Sequence, residues 1–180
     1  MTTLNSGTRL TTMFLDHFAM CFVITILVAP GMVYDMMQAF GDPNPPHKLF
    51  FGNYYLSIFA FSLYFNKDIY VGRSIAKRML KLQVVDTKTN KPANPLKCFV
   101  RNLTVILWPI EGIVALINNE RRIGDFLAGT KLTPYDPEQH KANANWPLII
   151  LAIMASIIVT YLTMFYPFEV LFENSGLVTH

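Results

Sequence analysis

A few ionisable residues stand inside or beside long apolar stretches, and any chemistry would fall to them. Arg9 and Asp16 are seven residues apart. On a helix that spacing puts both on one face, about 10 Å apart along the axis. Glu111 follows Pro109 in the middle of a short apolar run, and Asp125 comes shortly after that run. A carboxylate at membrane depth is costly, so it is kept for ion or proton handling or for a buried ion pair. Arg9, Asp16 and Asp125 are therefore either a coupling site or a network locking the first helix to the 120–130 segment. Glu111 could bind a cation or carry a proton within a broken helix. It could equally cap the second half of that helix, whose N-terminus favours negative charge. His17 follows Asp16 but points about 100° away around a helix, which disfavours a relay. Arg121 and Arg122 read as a snorkelling pair or as a partner for Asp125.

The rest of the composition narrows the classes. Of 180 residues, 52% are hydrophobic and 15% charged, against about 25% charged in a typical soluble domain. So low a charged fraction suits a surface that faces lipid in part. The net charge of +3 is unevenly placed: eight of the fifteen Lys and Arg lie between Lys67 and Lys97. Between flanking hydrophobic runs, such a stretch marks a cytoplasmic loop rather than a nucleic-acid interface. Cys21 and Cys98, and the scattered His17, His47, His140 and His180, lack disulfide or metal-ligand spacing. No metal and no cofactor are expected. Nucleophile, P-loop, dinucleotide and zinc-protease motifs are absent from the sequence, which makes an enzyme the least favoured class.

Four hydrophobic runs must position these charges. The first is uncharged from His17 to Tyr34. It is long enough to span a core of about 30 Å, and it reads as a retained helix rather than a cleaved leader. A proline-rich connection, Asp35 to Lys48, leads to an aromatic-rich second run, Leu49 to Phe65; together they predict a helical hairpin. From Arg73 to Lys81, apolar Ile75, Ala76, Met79 and Leu80 alternate with Arg73, Lys77, Arg78 and Lys81. That pattern predicts a short amphipathic helix whose basic face lies on anionic lipid headgroups, or packs on the protein's own cytoplasmic side. Leu82 to Val85 reads as a strand, and Asp86 to Pro95 as turn and loop.

The third run, Asn102 to Ile117, has only sixteen residues and holds Pro109, Glu111 and Gly112. It is either a kinked span or two half-helices that enter and return on one side. The second reading keeps Arg121, Arg122, Lys131 and Lys141 cytoplasmic and leaves the Lys- and Arg-free tail outside, so positive-inside favours it. It also lets Thr130 to Thr133 pair with Leu82 to Val85. The fourth run, Trp146 to Phe168, is uncharged over 23 residues and predicts a transmembrane helix. The fold class is thus an all-α polytopic membrane protein: a helical hairpin, a broken re-entrant segment and a C-terminal transmembrane helix, with a small cytoplasmic two-stranded β element.

Three places align with one family. They are Arg9-Leu10 with Leu15-Asp16; Gly72 to Asp86 (GRSIAKRMLKLQVVD), followed by Arg101-Asn102; and Arg122 to Leu132 (RIGDFLAGTKL). In this order and spacing the chain resembles the RDD family of bacterial membrane proteins, with Arg9, Asp16 and Asp125 in the namesake positions. The resembling part, 8–132, would be the membrane domain, followed by a linker 133–145, an additional helix 146–168 and a polar tail 169–180. Lys81 departs from the glycine expected before the strand. The resemblance implies a multi-pass protein of the bacterial inner membrane; cation/proton antiport has been proposed for some members. The leading expectation is a non-enzymatic subunit or accessory protein, as a homo-oligomer or with a membrane-protein partner, docking through its basic cytoplasmic face or last helix. The alternative is a cation/proton transporter using Asp16, Glu111 and Asp125.

The loop 67–101 holds more than half of the basic charge, so the N-terminus and this loop are expected in the cytoplasm. A cysteine placed at Lys88 should stay unlabelled by a membrane-impermeant thiol reagent in intact cells and react after permeabilisation. Labelling in intact cells would reverse the topology.

Overall fold

The computed structural model describes residues 5–41, 53–117, 121–138 and 143–174. Part of the second hydrophobic run, Leu49 to Gly52, and the proline-rich residues 42–48 lie outside that set, as does the end of the tail. The first helix, α1 (Ser6–Gly41), contains Pro30 and continues past Asp35, where the sequence suggested a connection. Its buried face is a stripe of Arg9, Thr12, Asp16 and Met20, spaced three and four residues apart, while Phe14, Phe18, Phe22 and Ile26 point outward. Polar inside and apolar outside is the arrangement expected of a helix whose solvent is lipid.

α2 (Tyr54–Phe65) is capped by Asn53, whose side chain accepts from the Leu56 N–H, the usual remedy for an orphan donor at a helix start. It packs between α1 and α7 (Trp146–Thr160). On α7 the buried residues Ile149, Ala152, Ser156 and Thr160 form one stripe. Ser156 Oγ accepts a hydrogen bond of 2.5 Å from Asn66 just beyond α2. The helix continues through a π-helical turn, Tyr161–Phe165, into α8 (Tyr166–Asn174). By length and composition, two helices among the described residues can cross a membrane, Ser6–Gln38 and Trp146–Leu171.

The segment between them builds a layer at one end of these helices. α3 (Ile75–Met79) is capped by Ser74 and followed by β1 (Leu82–Asp86). β1 pairs antiparallel with β2 (Thr130–Pro134), with Gln83 opposite Thr133 and Val84 opposite Leu132. The first is the strand that the pattern of Leu82 to Val85 predicted, and the second is Thr130 to Thr133, which the re-entrant reading placed on the same side. Asp86 closes the turn after β1 by accepting from the Lys88 N–H at 2.7 Å. The loop before α3 is drawn onto β1 at Gly72, where φ is +67° and a Cβ would stand 2.6 Å from the Val84 carbonyl oxygen. A glycine is required there on both counts.

α4 (Pro95–Leu103) passes through a 3-10 turn, Thr104–Leu107, into α5 (Trp108–Ile117). The two arms are bent by 109°, so the third run is broken, as its proline and carboxylate foretold. α6 (Ile123–Ala128) then brings the chain back beside α4.

α3 departs from its expected faces. Lys77 is not on an exposed basic face: it is buried at 2% exposure, while Ile75 and Met79 are 55% and 71% exposed. Helical spacing separates two stripes but does not say which is inside. Here two buried carboxylates outweigh the pull of the apolar side chains. Arg78 and Lys81 stay exposed, and Arg73 is half-buried with its guanidinium 3.8 Å from the Tyr135 ring centre.

Lys81 has φ of +51°, which explains why a glycine suits that position: the left-handed region costs an L-residue roughly 1–2 kcal/mol. Lys81→Gly should raise stability by about 1 kcal/mol, read as a higher midpoint in thermal unfolding of the detergent-solubilised protein. An unchanged or lower midpoint would show that the turn is not strained.

Candidate functional site

Asp125 is fully buried, and four groups converge on it. Arg9 Nη2 donates at 3.3 Å, Arg101 Nε at 2.5 Å, Thr130 Oγ1 at 2.9 Å and the Arg122 backbone N–H at 3.3 Å. Close backbone approach brings them together. A Cβ on Gly124 would lie 2.1 Å from the Arg101 carbonyl oxygen and 2.6 Å from Thr104 Oγ1, so only glycine lets α6 rest on α4. Burial by itself would raise the Asp125 pKa; Arg101, Arg122 and Arg9 outweigh it and hold the carboxyl below its usual range.

A second buried carboxylate, Asp68, extends the arrangement. Lys77 Nζ lies 2.8 Å from one oxygen and Arg101 Nη1 2.8 Å from the other. Burial again opposes ionisation, and the neighbouring Lys77 and Arg101 overcome it, keeping Asp68 well below the usual carboxylate range. Lys77 also bonds Asp16. The result is an alternating chain of charge: Asp16, Lys77, Asp68, Arg101, Asp125, Arg9. It begins and ends on α1, two turns apart on one face. Arg9 and Asp16 thus belong to one network with Asp125, each through a different partner: the structure gives Arg9 to Asp125 and Asp16 to Lys77.

Glu111 joins from the bend. It stands in the first turn of α5, yet what it caps is α6: Oε1 accepts from the Gly124 N–H at 3.0 Å and from the Thr104 hydroxyl. Oε2 takes Arg122 Nη1 at 3.1 Å, and Arg122 Nη2 donates to Asn102 at 3.0 Å. Arg122 is therefore buried and paired rather than snorkelling, whereas Arg121 lies 5.7 Å from the Phe126 ring centre.

Beside the network is a cavity of about 20 Å³ lined by Arg9, Thr12, Met13, Asp16, Lys67, Lys77, Arg101, Arg122 and Leu132. That is room for about one water-sized particle. Lys67 lies over the Tyr64 ring at 4.7 Å and has no carboxylate within salt-bridge distance among the described residues. Burial, then the Arg122 guanidinium, push its ammonium down to about 7 against the pull of Asp16. Sequence reasoning singled out Arg9, Asp16, Glu111 and Asp125, and all four meet here. It missed Lys67 and Asp68, and it placed Lys77 on the wrong surface. The signal that could have found Asp68 is its place directly after an apolar helix, as one of two acids in the basic stretch Lys67 to Lys97. Among the described residues no group of three or more His, Cys, Asp or Glu could hold a metal ion. Cys21 and Cys98 are free thiols.

Removing one partner of a buried ion pair costs roughly 3–5 kcal/mol, because the other charge is left without compensation. Arg9→Ala and Asp125→Ala should each reduce folded protein in membranes, and the double variant should be less harmful than the two single losses summed. Asp16→Ala with Lys77→Ala should couple in the same way. Additive effects in either double-mutant cycle, measured by detergent-resistant folded fraction, would refute the pairing.

The RDD family pattern matches residues 5–166, past Leu132 and into the last helix. An uncharacterized protein of Haemophilus influenzae is 40% identical over 79 residues, which are 39% of this chain and 49% of that protein. The chain thus spans about half the length of the curated relative it matches. No solved structure matches. With its matched span and its apolar helices, this chain belongs to the RDD family, as a multi-pass protein of the bacterial inner membrane.

Proposed function

We propose that the protein is a non-enzymatic subunit or accessory protein of the membrane, whose charge network holds a rigid cytoplasmic layer against the spanning helices for a partner to dock on. The observation that carries this reading is the saturation of two of its carboxylates. Glu111 has three donors and Asp125 four. Carboxylates so fully bonded suit fixed geometry better than cycles of ion capture and release. The docking face would be the outward side of the cytoplasmic layer, where α3 presents Ile75, Arg78 and Met79. Exposed apolar groups next to a cation fit a membrane interface or a partner helix. The return of α6 to α4, with Gly124 against Arg101, supports a re-entrant third segment, a cytoplasmic 119–145 and a tail near Asn174 on the far side.

One observation favours cation/proton transport as a second reading. Asp16 alone among the three candidate carboxylates lines the cavity. Reconstituted into proteoliposomes, the wild type should give no cation flux under a pH gradient beyond protein-free vesicles, and isolation from native membranes should yield a stoichiometric partner. Flux in the wild type that Asp16→Asn abolishes at normal abundance would overturn the docking reading in favour of transport.

A further inference from the structure

The network is unequal in charge. Among the described residues five cations gather, Arg9, Lys67, Lys77, Arg101 and Arg122, against four carboxylates, Asp16, Asp68, Glu111 and Asp125. Their distribution is more unequal still. All five cations line the cavity, but of the carboxylates only Asp16 does. Asp68, Glu111 and Asp125 hold the cations from outside its lining. Among the described residues Lys67 has no carboxylate within salt-bridge distance, and Arg122 Nε, in a residue only 5% exposed, stands 4.0 Å from Asp125 and makes no hydrogen bond.

We infer that this cavity is a binding site for a small inorganic anion of about the size of chloride, held by Lys67 and Arg122 and framed by Arg9, Lys77 and Arg101. A half-buried cation crowded by four others gains from a counter-charge, and a buried polar atom needs a partner; one anion in the cavity would supply both. The volume, about 20 Å³, excludes large organic anions. A cation would meet five positive side chains and a single carboxylate already bonded to Lys77. The site is a different one from the cation site that an antiporter requires. Its place at the cytoplasmic end of α1 would let the anion hold the loop after α2 to α1 and to Arg122, joining elements that the carboxylates alone leave linked from one side.

The test is equilibrium binding of radiolabelled chloride to the purified full chain in detergent, by scintillation proximity. Lys67→Met removes a cation without orphaning a carboxylate, so it is the variant to use, with Lys88→Met on the exposed loop as control. The expected result is saturable binding by the wild type, affinity at least tenfold weaker in Lys67→Met, and no change in Lys88→Met. Absence of saturable binding by the wild type, or equal binding by Lys67→Met, would overturn the site. Should Lys67→Met not fold, the wild type carries the test through its thermal midpoint at constant ionic strength. Chloride and bromide should raise that midpoint over gluconate, and exchange of sodium for choline should leave it unmoved. Equal midpoints in chloride and gluconate, or a midpoint that follows the cation, would overturn the site.

Discussion

Keeping Asp125 charged in a fully buried position is the constraint on which the rest depends. An isolated ionised carboxylate away from water is prohibitively costly, and it becomes tolerable only when cations and donors surround it. Its donors come from α1, α4, β2 and the start of α6. Each must be held at hydrogen-bond distance, so four elements lose their freedom together. Gly124 permits the approach of α6 to α4, and the strand pair positions Thr130. The bend in the third hydrophobic run brings Glu111 back to cap the helix that carries Asp125.

Much of this order is visible in the residues, and the reasons for what is not visible are specific. Arg9 and Asp16 could be placed on one face because helical periodicity alone decides it, and the strand pair followed from the pattern of Leu82 to Val85 and from a third run that returns Thr130 to Thr133 to the same side. The break at Pro109 and Glu111 is local chemistry. Lys77 could not be placed in the same way. Arg73, Lys77, Arg78 and Lys81 form one polar stripe in sequence, yet only Lys77 has Asp16 and Asp68 across from it. That depends on where α1 and the loop after α2 arrive, which is tertiary information. Asp68 and Lys67 adjoin in sequence and have opposite surroundings: Asp68 is met by Lys77 and Arg101, and Lys67 by an aromatic ring. Side-chain type gives no means to tell those two outcomes apart.

The membrane inverts the ordinary logic of a helical domain. On α1 the polar stripe is the buried one, and phenylalanines face outward. Lipid removes the hydrophobic drive for helices to associate, so packing and polar contacts must do it. The apolar core is correspondingly small, with Phe65, Phe99 and Ala152 at the junction of α2, α4 and α7. Specificity of association rests on the charges and on small contacts such as Asn66 with Ser156.

Arg9 and Asp125 are 116 residues apart in the chain, and that separation is also an interval of time. At a synthesis rate of roughly 10 residues per second, α1 is made about ten seconds before the residue that neutralises its arginine. Lys77 reaches Asp16 about halfway through that interval, whereas Arg9 waits to its end for Asp125, and hydrocarbon would be a hostile place to wait. The first helix therefore inserts as a long apolar rod whose charged end stays near water. The network that buries that end is complete only once α6 has brought Asp125 to Arg9 and Arg101.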